Sequence, residues 1–260
     1  MKCSICIPTY KRPSALNNLL STIIGMHDSR VEEVLIGISY KKEDSIDTTT
    51  EHLLRMLEIL KIKYTITSDL EGLLDAKQWF KDKATSDILL VVDDDAIISK
   101  DYLDLLNNFE NKNVGAVSGS LQTPLDINYY KDYAYDKVDN PPEDMICNKV
   151  KVNDNGLVII EDKWQVYMLK EHKKYECECL VGTAMFIRKE LLTVDKNYNK
   201  GACNYEEFDY TYSAYKQGYK LIFDSSRVAF HLHENKGGMR EKKEKLKELN
   251  SDYFKEKFKL

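Results

Sequence analysis

The feature that most constrains the fold is an alternation of short apolar runs with helix-period stripes through the first hundred residues. Residues 4–7, 34–38 and 88–92 read as strands buried on both faces, and 62–66 as another strand. Between them, Leu16, Leu19, Leu20, Ile23 and Ile24 recur at i, i+3, i+4, i+7 and i+8, the stripe of an amphipathic helix. Leu53, Leu57 and Leu60 mark a second helix over 51–60, and Leu73, Ala76, Phe80 and Ala84 a third. Such alternation predicts an α/β fold with a mostly parallel, Rossmann-like sheet flanked by helices. Ligands bind outside the carboxyl ends of the strands in sheets of this kind. The polar segments 9–12, 39–47 and 93–95 each follow an apolar run, so they should gather on one edge.

Beyond residues 114–117 the pattern loosens. Residues 122–174 are polar, tyrosine-rich and interrupted by Pro124, Pro141 and Pro142, which reads as a small lobe or an excursion over the active face. Regularity returns at 180–187, a helix near 208–216, and strands at 219–223 and 228–232; Gly237-Gly238 then precedes a charged, helical tail. A length of 260 residues suits one α/β domain with a proper core. The net charge of -5 argues against wholesale nucleic-acid binding. No apolar run approaches the roughly 20 residues of a membrane span. The opening Met1-Lys2-Cys3-Ser4-Ile5-Cys6-Ile7-Pro8 is too soon broken by proline for a signal peptide. A cytoplasmic protein is expected, touching a membrane at most peripherally. The six cysteines then read as free thiols. Cys3 and Cys6 should face opposite sides of a strand, and Cys177 with Cys179 makes a poor zinc site.

Three groups of residues carry chemistry. Asp93, Asp94 and Asp95 end an apolar strand, and adjacent buried carboxylates need a cation or hydrogen-bond donors. Asp93 and Asp95 can turn toward one ligand, and hard oxygens suit Mg²⁺ or Mn²⁺ alongside substrate phosphates. The competing reading is the capped N-terminus of a helix. Glu206, Glu207 and Asp209 form the second group, open to capping or to a general base for an acceptor hydroxyl. His231 and His233 form the third, sharing one face of a strand.

With these groups in place, the sequence resembles the family-2 glycosyltransferases of the GT-A (nucleotide-diphospho-sugar transferase) fold. Ile7-Pro8-Thr9-Tyr10-Lys11-Arg12 is similar to that family's first strand and nucleotide-binding turn. Glu43-Asp44-Ser45-Ile46-Asp47-Thr48-Thr49 resembles its D-G-S-x-D-x-T segment, and Gly72-Leu73-Leu74-Asp75-Ala76-Lys77-Gln78 its G-x-x-x-A-R-N helix start. Asp93, Asp94 and Asp95 stand where the D-x-D motif would. Gly182-Thr183-Ala184-Met185-Phe186 resembles the strand facing the donor sugar, and Glu206-Glu207-Phe208-Asp209 the E-D-x-D helix. His231 and His233 fall where the family ends its core. The departures are Glu207 and Glu43 for aspartate and Lys77 for arginine.

The resemblance implies transfer of a sugar from a nucleoside diphosphate sugar, usually with inversion, with a uridine diphosphate sugar favoured as donor. The acceptor class stays open among glycan, lipid-linked, protein and modified-nucleobase hydroxyls. Asp95, with Asp93, His233 and His231, would hold Mn²⁺ or Mg²⁺. Pro8, Thr9, Tyr10, Arg12, Glu43, Asp47, Gly72, Lys77, Asp93, Asp94 and Gly182 would line the donor pocket. Within the triplet, Asp95 is the firmest ligand and Asp94 a bystander. Glu207 would be the base, with Glu206 or Asp209 as alternatives. The chain then divides into a nucleotide-sugar half over 1–120, an acceptor and catalytic half over 121–235, and a lid or helix over 236–260.

Tyr129, Tyr130, Tyr133, Tyr135, Trp164 and Tyr167 would face the acceptor or pack a small lobe. In the tail, Gly237-Gly238 would hinge a loop bringing Arg240 to a phosphate. Leu246, Leu249, Tyr253 and Phe254 would dock the tail on the core, with an anionic membrane as the weaker alternative. Two rival classes are a nucleotidyltransferase and a non-catalytic sugar-nucleotide-binding module. The first usually needs a glycine-rich basic loop, which Pro8-Thr9-Tyr10-Lys11-Arg12 is not; the second needs broken chemistry.

Overall fold

A computed structural model describes residues 1–122, 150–152, 158–160, 173–180, 182–198, 205–232 and 243–260. The strands are β1 (Cys3–Thr9), β2 (Val31–Ser39), β3 (Lys63–Leu70), β4 (Ile88–Val92), β5 (Ala96–Ile98) and β6 (Val114–Gln122). They continue with β7 (Val150–Val152), β8 (Val158–Ile160), β9 (Lys174–Cys177), β10 (Ala184–Arg188) and β11 (Lys220–His231). The helices are α1 (Pro13–Met26), α2 (Thr48–Ile59), α3 (Leu73–Lys83), α4 (Glu206–Lys216) and α5 (Lys243–Phe258), with a long 3-10 stretch at Lys100–Glu110.

Among the described residues, nine strands make one sheet in the order β3-β2-β1-β4-β10-β6-β11-β5, with β9 also paired to β11. Six strands run the same way; β10, β5 and β9 run against them. The mostly parallel α/β sheet is as the sequence predicts. A separate ribbon pairs β7 with β8.

Side chains alternate across this sheet and build two cores. Cys3, Ile5 and Ile7 of β1, with Ile88, Leu90 and Val92 of β4, pack with α1, α2 and the 3-10 stretch. Cys6, Leu89 and Val91 point the other way, against α3 and α4. Cys3 and Cys6 are thus buried on opposite faces as free thiols, and burial pushes Cys3 up to about 12. Cys177 and Cys179 are also buried.

Local chemistry sets the helix starts. Pro13 opens α1. Asp47 caps α2 by accepting from the Thr50 amide at 2.7 Å, while the Thr50 hydroxyl faces the Asp47 amide. Gly72 precedes α3 at φ 137°, ψ -167°, a conformation closed to other residues.

Four expectations need correction. The regular segment expected over 180–187 is strand only from Ala184, as β10. The two strands expected over 219–223 and 228–232 are one, β11, irregular between Asp224 and Val228. An irregularity of this kind breaks the alternation that periodicity relies on. In α2, Leu54 and Leu57 are buried while Leu53 and Leu60 only pack at the margin. Leu249 of the tail is 54% exposed, whereas Phe254 is fully buried. Tyr129, Tyr130, Tyr133, Tyr135, Trp164, Tyr167, His233, Gly237, Gly238 and Arg240 lie outside the described residues, and the side chain of Leu246 is likewise outside them. No helix among the described residues is long and apolar enough to cross a membrane.

Candidate active site

Because β1, β2 and β4 are parallel, the segments after them meet at one edge. Asp93, Asp94 and Asp95 occupy the turn from β4 into β5, which removes the helix-capping reading. The turn is pinned by the Asp93 amide donating to the Thr183 carbonyl at 2.9 Å and the Ala96 amide donating to Asp93 at 3.1 Å. β5 then pairs antiparallel with β11, setting His231 opposite Ala96. The Leu232 amide donates to the Asp95 carbonyl at 2.9 Å, closing the corner.

The three aspartates diverge. Asp94 is fully buried and accepts from the Thr9 hydroxyl at 2.6 Å and from Arg12. Burial pushes its carboxyl up to about 7, against the opposing pull of Arg12 and Thr9. Asp94 therefore anchors the turn after β1. Asp95 takes the other Arg12 nitrogen at 2.7 Å and lies 3.2 Å from His231 Nε2. Burial pushes Asp93 up to about 6, with His231 first among the groups opposing it. One ligand atom each from Asp93, Asp95 and His231 lies within 4.8 Å of the others. Two carboxylates and an imidazole at that spacing fit a divalent cation.

Other candidates surround this corner. Pro8 is buried within β1, opposite Gly37. Tyr10 and Tyr40 form a tilted ring pair at 5.2 Å, and the Lys11 amide donates to Ser45 at 2.9 Å. Glu43 stands exposed in the short turn Lys42–Asp44. Asp47 is occupied differently from its neighbours. Beyond its cap, it accepts from Asn17 at 3.1 and 3.3 Å, which holds its carboxyl below the usual range together with the stronger Thr50 bond. Asn17 was not legible as its partner, because it sits in the polar margin of another helix.

The second acid group lies across the edge. Glu206 is buried 3.3 Å from Lys77 Nζ, and Lys77 also sits 5.1 Å from the Tyr210 ring centre. Burial opposes the Lys77 charge, but Tyr210, Glu206, Glu207 and Asp93 outweigh it and raise its pKa. Glu207 packs over Gly182: a Cβ there would meet Glu207 Cβ at 3.1 Å and its Cγ at 3.3 Å. A side chain at 182 would press on Glu207, which would have to give by a few tenths of an ångström. Burial raises Glu207 well above the usual glutamate range, and Glu206 adds to it. Asp209 points elsewhere. It is held by Lys257 at 2.8 Å and the Tyr198 hydroxyl at 3.0 Å. The buried Lys77–Glu206 pair escaped sequence reading, since its members are 129 positions apart.

The chain matches Glycosyltransferase like family 2 over residues 2–251. No curated protein sequence matches it. Among solved structures it is similar to GalNAc-T7 with UDP, GalNAc and Mn²⁺, at 14% identity and a TM-score of 0.66, over 91% of this chain and 44% of that one. It is also similar to the mannosyltransferase PcManGT from Pyrobaculum calidifontis in complex with GDP-Man and Mn²⁺ (16% identity, TM-score 0.59, 90% of this chain, 58% of that). The S. aureus TarS 1-349 structure matches at 16% identity and a TM-score of 0.56, over 89% of this chain and 60% of that one. The chain thus spans roughly half the length of these proteins. The sheet order, the acidic corner after β4 and the match over nearly the whole sequence converge: this chain belongs to glycosyltransferase family 2 and has the GT-A fold.

Proposed function

We propose that this chain is a glycosyltransferase moving a sugar, with inversion, from a nucleoside diphosphate sugar to an acceptor hydroxyl, with Mn²⁺ or Mg²⁺. The observation that carries this reading is the convergence of Asp93, Asp95 and His231 at the carboxyl edge of the sheet. The Mn²⁺ complexes of GalNAc-T7 and PcManGT with their nucleotides support it. A bound divalent cation would neutralise charge on the departing diphosphate. Asp93, Asp95 and His231 would hold that cation, joined by His233. Thr9 and Arg12 fix Asp94, so the nucleotide turn keeps its shape. Tyr10, Arg12, Glu43, Gly72 and Lys77 line the donor side, with a uridine nucleotide favoured. Asp47, engaged as a cap, supports that side from behind.

Glu207 is the base. It takes the acceptor proton as the new oxygen–carbon bond forms on the face opposite the leaving group. Its burial raises its proton affinity toward what a base near neutral pH needs. Glu206 pairs with Lys77 and Asp209 with Lys257, whereas Glu207 meets Glu206 and packs over Gly182, which supports it as the base of the three. The acceptor is a glycan, lipid-linked, protein or nucleobase hydroxyl, met in the cytoplasm or at a membrane surface. The test is nucleotide release from a panel of UDP- and GDP-sugars with Mn²⁺, in wild type and Glu207→Gln. Turnover lost only in the variant supports the reading. Pyrophosphate release would replace it with nucleotidyl transfer, and binding without turnover with a non-catalytic module.

A further inference from the structure

The tail beyond the family match reaches the helix that carries Glu206 and Glu207 through a few side chains. The match ends at residue 251, yet Tyr253, Phe254, Lys257 and Phe258 follow it. Lys257 Nζ lies 2.8 Å from Asp209 and 2.8 Å from Asp195. Asp195 also accepts from the Tyr253 hydroxyl at 2.8 Å, while Asp209 accepts from Tyr198 at 3.0 Å. One loop carboxylate, Asp195, and one helix carboxylate, Asp209, therefore converge on a single ammonium group. Phe254 is fully buried, 5.7 Å from the Tyr205 ring and 5.8 Å from the Tyr212 ring.

These contacts fall on the first turn of α4. Tyr205, just before Glu206, adopts a left-handed backbone at φ 74°, and its side chain makes no cap hydrogen bond. That conformation is uncommon for a bulky non-glycine residue. The rings packed against Tyr205 are Phe208, from α4 itself, and Phe254, from α5. Asp209 is two positions after Glu207, and its amide closes the first turn on the Tyr205 carbonyl at 2.7 Å. Displacing Asp209 would therefore shift Glu207 away from Gly182.

We propose that α5 is a brace for the catalytic helix and that Lys257 is a positioning residue. Through Asp209 and Asp195 it fixes the α4 first turn, so that the Glu207 carboxylate stays over Gly182. The proposal rests on Glu207 being the base. It also assigns Asp209 an anchoring role in place of catalysis.

The test compares wild type, Lys257→Met, Lys257→Arg and Glu207→Gln in the full chain. Turnover is read as nucleotide release from UDP-glucose, UDP-galactose, UDP-GlcNAc, UDP-GalNAc and GDP-mannose with Mn²⁺. Amide hydrogen exchange over 205–212 is read without any donor. Lys257→Met should lower kcat about tenfold, because a displaced base loses alignment, while donor KM stays within about twofold. Exchange over 205–212 should quicken in Lys257→Met, and Lys257→Arg should restore both readouts. Unchanged kcat in a folded Lys257→Met variant overturns the brace, as does a loss carried by KM alone or one that arginine does not rescue. Full turnover in Glu207→Gln removes the base assignment instead, leaving the exchange comparison to judge the brace. If Lys257→Met does not fold, Asp195→Asn takes its place. That variant removes one side of the tie and should lower kcat about threefold at constant KM; no change in kcat would overturn the proposal.

Discussion

Two acid clusters with nearly the same composition face this edge, and they are neutralised in different ways. Asp93, Asp94 and Asp95 draw on Arg12, Thr9 and His231, groups placed by the strand ends themselves. Glu206, Glu207 and Asp209 draw on Lys77 and Lys257, lysines 129 and 48 positions away from their partners. In the first cluster one arginine spans two carboxylates and two acids converge on a histidine. In the second, each lysine pairs with one acid, and Glu207 is left against Glu206. Adjacent acids in a sequence do not share a role. Their roles follow from which cation the fold brings to each.

The largest effect that would break this contrast is at Glu207. Glu207→Gln should cost about 10² to 10⁴ in kcat, read from nucleotide release, because the proton acceptor is lost while size is kept. A variant within tenfold of wild type would place the base elsewhere. Asp95→Asn should lower turnover by at least about a hundredfold and weaken Mn²⁺ binding measured by electron paramagnetic resonance. Unchanged Mn²⁺ affinity would show that the first cluster is a structural corner only.

The second cluster should also be visible in pH dependence. As the proposed base, Glu207 would act when deprotonated, and its pKa is raised by burial and by Glu206. The rate should therefore fall as pH drops through a value well above the ordinary glutamate range of about 4.3. Lys77 lowers the Glu207 pKa, so Lys77→Met should move that acid limb to still higher pH. A limb at the ordinary value in wild type would contradict the buried geometry. Lys77→Met should also cost about 3–5 kcal/mol of stability in denaturant unfolding, since it strands Glu206 as a buried charge. A double change to Lys77→Met with Glu206→Gln should recover part of that loss.

The smallest effect separates two readings of Asp47. As a cap, Asp47→Ala should lower unfolding stability by about 1 kcal/mol with donor KM nearly unchanged. A large rise in KM would return Asp47 to direct nucleotide contact.

The alternation of apolar runs and helical stripes was sufficient to specify the parallel sheet, because strand and helix periods are local properties of ten or so residues. It also specified that Thr9, Arg12 and the aspartate triplet would meet, since parallel strands put their carboxyl ends together. Only the tertiary structure decided the rest. β5 is three residues long, too short for a periodic signal, yet it is what carries His231 to Asp95. The irregularity after Asp224 hides β11 as one strand. Asp47 and Asp209 were credible site residues by motif, and their partners Asn17, Thr50, Tyr198 and Lys257 show them engaged in holding helices. The physical reason is common to all of these. A sequence records which charges are present, but which opposite charge each one meets depends on contacts between distant segments.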